Sequence, residues 1–201
     1  PAVTVHTPEW LWLSSGVRAV DHAVETICSL DANDYTDGTA IQALKSLSEG
    51  LARCKADGSD LEGRLKCQIG AWLSMVGIVA GTRLGASHAI GHILGGSAGV
   101  PHGHTSCVML PYVLDYNKSV NADRQRLVAE ALGKPDAPAS ETLHHLIKGL
   151  GMPRTLKEVG VLHDDLPRLA ENCMLDDWTF SNPRPISSPG QIMEILEAAY
   201  G

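Results

Sequence analysis

The stretch at residues 87–117, SHAIGHILGGSAGVPHGHTSCVMLPYVLDYN, holds four of the nine histidines in the 201-residue chain. His88 and His92 are four residues apart, so both imidazoles should lie on one face of a helix. The glycine-rich segment that follows lets the chain fold back and return His102 and His104 toward that helix. Three neutral imidazoles that converge from a helix and a loop suit a divalent metal such as Fe²⁺ or Zn²⁺.

Two simpler interpretations compete with a metal site. A lone pair of histidines at this spacing is often only a polar helix face, and the glycines of GGSAG could cradle a phosphate. The phosphate interpretation is weak, because GGSAG follows a helical pattern rather than a strand and lacks the lysine of a phosphate-binding loop. The additional histidine favours a metal over a polar face.

Apolar residues recur at helical spacing through most of the chain, and no segment alternates as a strand would. We predict an all-α domain of about seven to nine helices. Ser14, Ser15 and Gly16 should break a short apolar turn from the helix that begins at Val17. A long helix over residues 61–80 should face the core with an apolar stripe, and Pro111 should bend or interrupt the helix that contains it. The stripe consists of Leu65, Ile69, Trp72, Leu73 and Val76.

Charge and cysteine usage exclude several classes of function. The net charge of −7 and the pI near 5.7 argue against binding to nucleic acid or to an anionic membrane. No apolar run is long enough to span a bilayer, and no signal sequence is visible. The five cysteines are scattered and odd in number, which is typical of a protein of the reducing cytoplasm.

Three ordered segments resemble one family. The run HAIGHILGGSAGVPHGHT at 88–105, GVRAVDHAVE at 16–25 and NPRPI at 182–186 resemble the C-terminal domain of the iron-containing alcohol dehydrogenases, within the dehydroquinate synthase-like superfamily. The maleylacetate reductase branch is the most similar. The resemblance covers the chain from Pro1 to its end and implies the multi-helix fold of that domain.

The resemblance also implies roles for four histidines. His22, His88 and His102 correspond to the family's ligands for iron or zinc, and His92 corresponds to the histidine beside the nicotinamide. His92, His22 and His102 are therefore the candidate catalytic residues. Without a metal, the histidines should still line the substrate pocket and donate protons near neutral pH.

One position departs from the family pattern. The family's aspartate ligand, four residues before the first histidine, falls on Arg18, and a guanidinium cannot ligate a cation. The maleylacetate reductase branch also departs from the aspartate here. Arg18 could instead recognise a substrate carboxylate, or it could turn outward and pair with a surface acid such as Asp21 or Glu25.

The family's fold implies that residues 1–201 are one half of a two-domain oxidoreductase. NAD(H) or NADP(H) would bind mainly to an N-terminal α/β domain that is absent from this chain, so the chain alone should be inactive. The expected partners are that domain and a small-molecule substrate, and a homodimer is left open. The alternative is a stand-alone helical module that has lost dehydrogenase activity and serves binding or another reaction.

Overall fold

The computed structural model describes residues 1–201, which form helices and connecting loops without a strand. This confirms the prediction of an all-α domain. No helix combines the length and the apolar character needed to cross a membrane. The nine α-helices are α1 (Glu9–Cys28), α2 (Asp34–Ala56), α3 (Leu61–Ser74), α4 (Val76–Val79), α5 (Ala86–Ala98), α6 (His102–Ala131), α7 (Ala139–Gly149), α8 (Leu166–Cys173) and α9 (Pro189–Tyr200).

Two hydrophobic clusters share helix α6. The first cluster is built from α1, α2, α3, α6 and α7, and the second from α5, α6, α8 and α9. Neighbouring positions on α6 point into different clusters: Leu110 and Leu114 join the first, whereas Met109 and Val113 join the second. Helix α6 therefore joins the two halves, and α1 and α5 contact each other where the halves meet.

The predicted break at Ser14–Gly16 is wrong, because α1 runs unbroken from Glu9 to Cys28. The low helix propensity of these small residues is outweighed by close packing. A Cβ on Gly16 would collide with the side chain of Leu51 on α2, and a Cβ on Gly103 would come within 2.7 Å of the carbonyl oxygen of Ser14. Small residues allow α2 and α6 to approach α1 closely, and tertiary packing routinely overrides helix propensity.

The long helix predicted at 61–80 is also wrong in its extent and in the face it buries. Helix α3 ends at Ser74, and the short α4 follows. Leu65, Ile69 and Trp72 lie on the surface, Trp72 with 78% of its area exposed. Helix α3 packs on α2 through small residues instead. Gly50 on α2 lies so close to Gly63 on α3 that a Cβ on Gly50 would come within 2.8 Å of the Gly63 carbonyl oxygen.

Pro111 does not interrupt α6. The helix passes through it although a proline removes one backbone hydrogen bond, and Pro111 itself is buried. The departure from helical geometry comes ten residues later at Asn121, with φ −136° and ψ 31°. The Asn121 side-chain oxygen accepts a hydrogen bond from Gln125 Nε2 at 2.9 Å, so the irregular turn is held by buried polar groups.

Candidate functional site

Four histidines meet where α1, α5 and the first turn of α6 come together. The rings of His22 and His88 stack with centroids 4.9 Å apart, and the rings of His92 and His102 are parallel at 6.4 Å. The structure therefore arranges the four predicted site residues as two neighbouring pairs. His104 is not among them, because its ring contacts Trp10 at 5.7 Å.

His88 is held by a buried carboxylate from α1. Its Nδ1 lies 2.7 Å from Glu25 Oε2, and the same carboxylate accepts hydrogen bonds from the backbone N–H groups of Gly85, Ser87 and His88 at 3.0–3.2 Å. Glu25 thus satisfies the otherwise unpaired N–H groups at the start of α5, where a negative charge is favoured. Because a carboxylate only accepts, Nδ1 carries the proton, and the buried Nε2 keeps a free lone pair with no partner.

His92 has its own carboxylate partner. Its Nδ1 lies 2.8 Å from Asp176 Oδ2, and Asp176 Oδ1 accepts a hydrogen bond from the backbone N–H of Trp178 at 2.9 Å. The Trp178 ring lies 5.3 Å from the His92 ring and 5.8 Å from the His88 ring. Trp178 therefore forms a wall shared by two histidines that are one helical turn apart.

Arg18 is buried and points into the protein, so the alternative in which it turns outward is wrong. Its Nη1 donates to Ser106 Oγ at 3.1 Å and lies 3.9 Å from Asp21 Oδ2. A Cβ on Gly91 would come within 3.2 Å of the same Nη1 and within 2.9 Å of Thr105 Oγ1. The absence of a side chain at position 91 makes the space that the guanidinium occupies.

Two acids counterbalance this arginine from inside the protein. Asp21 is completely buried, accepts a hydrogen bond from Ser87 Oγ at 2.8 Å and lies 3.6 Å from His88 Nδ1. Burial raises the pKa values of Asp21 and Glu25. Burial lowers the pKa of Arg18, and the charges of Asp21 and Glu25 oppose that shift, so the guanidinium stays protonated.

The buried histidines are neutral. Burial lowers the pKa of His22 to about 3 and that of His88 to about 3, with the Arg18 charge acting in the same direction on both. Burial also lowers the pKa of His102. At neutral pH a ring with such a pKa carries no second proton, which argues against His22 and His88 as the proton donors.

This donor set does not fit a tightly held divalent metal. The buried His22 Nδ1 and His88 Nε2 have no hydrogen-bond partner, but His102 is exposed and its ring pairs with His92 rather than with them. The cluster of potential ligands that lies close together is Asp21, Glu25 and His88. Its Glu25 already receives three backbone N–H groups, and the Arg18 charge that disfavours protons on the histidines also disfavours a metal cation.

The fold and this site define a class of protein. The chain matches the Fe-containing alcohol dehydrogenase family, C-terminal, over residues 12–200, and it belongs to that family. The relatives to which its sequence is similar carry the names of dehydrogenases and reductases.

The similarity extends to sequence and structure. The chain is 31% identical to maleylacetate reductase 1 of Cupriavidus pinatubonensis and 35% identical to 1,3-propanediol dehydrogenase of Citrobacter freundii, in each case over its whole length. It superimposes on the crystal structure of maleylacetate reductase from Rhizobium sp. with a TM-score of 0.88, at 29% identity and over 99% of its length. The chain spans 55% of that structure and 54–55% of the two relatives.

Proposed function

We propose that this chain is the substrate-binding half of an NAD(P)-dependent oxidoreductase that reduces a keto acid of the maleylacetate type. In this proposal Arg18 binds a substrate carboxylate, and His92 carries the proton that completes the reduction. The N-terminal half that binds the dinucleotide lies outside residues 1–201. The family and the similarity to maleylacetate reductases support the reaction class, and the position of Arg18 supports the acid substrate.

The single observation that carries the proposal is the free edge of the Arg18 guanidinium. Nη1 is tied to Ser106, whereas Nε is buried without a partner and Nη2 makes no hydrogen bond within the chain. The Nε–Nη2 edge is the one that Arg53 and Arg83 of this chain use to bind the carboxylates of Asp60 and Asp31.

A carboxylate ligand fits this edge for energetic reasons. A buried donor without a partner costs about 1–3 kcal/mol, and a charge-assisted bidentate pair would recover that cost. The donors belong to a residue that is otherwise locked by Ser106, Asp21 and Gly91, so little side-chain entropy is lost on binding. Maleylacetate, with two carboxylates and a conjugated ketone, presents the required group.

The exposure of His92 supports its role in moving the proton. Its side chain is 38% exposed, whereas His88 is buried, so His92 can exchange protons with solvent. When bound, the nicotinamide cofactor supplies the hydride. The negative charge that then develops on the ketone oxygen is neutralised by the Nε2 proton of His92 in its imidazolium form, which leaves the neutral ring with its Nδ1–H bonded to Asp176. Neutral His22 stacks on the His88 ring one helical turn away from His92.

The test is steady-state kinetics on the complete enzyme with maleylacetate and with a neutral aldehyde. Replacing Arg18 by Met should lower kcat/KM for the acid by roughly tenfold or more, because a hydrogen bond to a charged group is worth about 1.5–3 kcal/mol. The value for the aldehyde should hardly change. Arg18→Lys is the matched variant, since it keeps the charge and removes the fork, and it should recover only part of the activity.

An unchanged preference for the acid in Arg18→Met would contradict carboxylate recognition. A parallel loss with both substrates would also contradict it, because the arginine would then support the site without choosing the substrate. Thermal unfolding of each variant separates these results from loss of the fold.

A further inference from the structure

The residues around His92 assign a function to Asp176, which lies outside the three motifs at 16–25, 88–105 and 182–186. We propose that Asp176 is a positioning residue that fixes the tautomer and the ring plane of His92, so that Nε2 is the nitrogen left free for chemistry. The inference deepens the proposed function and rests on it for the role of His92. The contacts of Asp176 themselves do not depend on that role.

The hydrogen bond between Asp176 and His92 has a defined direction. Asp176 Oδ2 lies 2.8 Å from His92 Nδ1, and an ionised carboxylate can only accept. The proton of neutral His92 is therefore held on Nδ1, which leaves the lone pair on Nε2. A carboxylate bonded to one ring nitrogen is the usual means by which a protein selects the nitrogen that does chemistry.

The Asp176 carboxylate is itself held in place by a second hydrogen bond. Its other oxygen accepts the backbone N–H of Trp178 at 2.9 Å and so begins the short 3₁₀ turn Asp177–Thr179. That turn places the Trp178 ring against His92. A single side chain thus fixes one edge of the imidazole and the aromatic wall beside it, and the buried Thr179 hydroxyl anchors the turn by donating to the Cys173 carbonyl at 2.6 Å.

Helix α5 carries a second histidine held in the same way. His88 and His92 lie on consecutive turns of α5, and the Nδ1 of each is held by a carboxylate from another element. Glu25 on α1 holds His88, and Asp176 after α8 holds His92. Glu25 is enclosed and also holds the start of α5, so its replacement would disturb the fold. Asp176 is half-buried and outside the core, so its contribution to His92 can be measured separately.

The structure predicts what an amide would do at position 176. In Asp176→Asn, the side-chain amide oxygen still accepts the hydrogen bond from the backbone N–H of Trp178. The amide NH₂ group then faces His92. That NH₂ can only donate, so His92 Nδ1 must become the acceptor and its proton must move to Nε2. The substitution therefore reverses the tautomer while leaving the shape of the site nearly unchanged.

The first experiment is ¹⁵N NMR of histidine-labelled protein, with the His92 signals assigned by a His92→Gln variant. At about pH 9, where imidazoles are neutral, His92 should be the Nδ1–H tautomer in the original chain and in Asp177→Asn. It should be mainly the Nε2–H tautomer in Asp176→Asn. Asp177→Asn is the matched control, because Asp177 is exposed and its side chain makes no hydrogen bond to the site.

The second experiment measures turnover in the complete enzyme. Asp176→Asn should lower kcat by roughly 10–100-fold, the usual effect of losing a partner that orients a functional histidine, with KM for the substrate nearly unchanged. Asp177→Asn should leave both values near the original, and Asp176→Glu should recover part of kcat.

The outcomes separate the two proposals. An Nδ1–H tautomer that persists in Asp176→Asn contradicts the assignment of Asp176. A tautomer that reverses without any loss of kcat shows that Asp176 does orient His92, and it contradicts the role of His92 in turnover instead. A fall in thermal stability without a change of tautomer leaves Asp176 as a purely structural residue and also overturns the assignment.

Discussion

At the scale of single residues, protonation distinguishes this site from an ordinary polar cleft. His22 is neutral in the folded protein because burial lowers its pKa to about 3, whereas in the unfolded chain it has an ordinary pKa near 6.5. The unfolded state therefore binds more protons between these two values. The contribution of His22 is fully present above about pH 6.5 and is lost as the pH falls toward about 3.

We expect His22→Gln to flatten the pH dependence of stability. The free energy of unfolding is measured with urea at several pH values between about 4 and 6. Its slope against pH should fall by up to about 1.4 kcal/mol per pH unit in the variant, because one proton fewer is taken up on unfolding. Asp21 and Glu25 act in the opposite sense, since their raised pKa values make stability fall as pH rises above their unfolded values near 4. The difference between variant and original is thus the informative quantity, and identical slopes would show that His22 is protonated in the fold.

The residues that sequence could identify are those in short, local patterns. His22, His88, His92 and His102 lie within compact segments, and their meeting in the fold was predictable from resemblance. The partners of two of these rings were not predictable, because Glu25 is 63 residues from His88 and Asp176 is 84 residues from His92. No periodicity marks an acid for pairing across such distances.

At the scale of helices, small residues decide how closely the elements of the site approach. Gly103 is the second residue of α6, and a Cβ there would come within 2.5 Å of the backbone carbon of Ser14 on α1. Backbone cannot move aside as a flexible side chain can. The crossing of α1 and α6, which sets His102 relative to His22, therefore depends on glycine at this position.

Gly103→Ala should lower the free energy of unfolding by about 1–3 kcal/mol, the usual cost of overpacking, and should displace His102 from its contact with His92. Gly38→Ala in α2 is the matched control, because nothing lies within 4 Å of its added Cβ. It should raise stability by about 0.5–1 kcal/mol through helix propensity. Chemical denaturation measures both, and equal stability of Gly103→Ala and the original would show that α1 and α6 can separate without cost.

The helices also show where sequence patterns mislead. The all-α class and the approximate number of helices were predictable from spacing alone. The burial of α3 was not, because its large residues and its small residues both recur at helical spacing. Only the neighbouring helix α2, which offers Gly50 at the contact, determines that the small face is buried.

At the scale of the whole molecule, the site lies on the seam between two hydrophobic clusters. His22 belongs to a helix of the first cluster, and His88 and His92 belong to a helix of the second.

The positive charge of Arg18 beside these histidines disfavours a bound cation, so the protein should contain no tightly held metal. After brief dialysis against EDTA, elemental analysis should find far less than one iron or zinc ion per chain, and a retained stoichiometric ion would contradict the electrostatic argument from Arg18.

The 201-residue chain by itself should not oxidise NADH or NADPH with maleylacetate or with an aldehyde. Hydride transfer requires the cofactor to be held against the substrate, and this chain contains no strand–glycine–helix unit for a dinucleotide. Absorbance at the nicotinamide band measures the rate directly. Turnover by the isolated chain above the rate without protein would contradict the proposed division of labour.

The packing around Arg18 has an evolutionary consequence, which is epistasis between positions 18 and 91. The guanidinium needs Gly91 for space and Ser106 and Asp21 as partners, so it is compatible with only some neighbours. An aspartate placed at 18 alone would bury a third acid beside Asp21 and Glu25, at a large electrostatic cost unless a cation entered with it. Replacing Arg18 by aspartate alone is therefore not a neutral substitution in this fold.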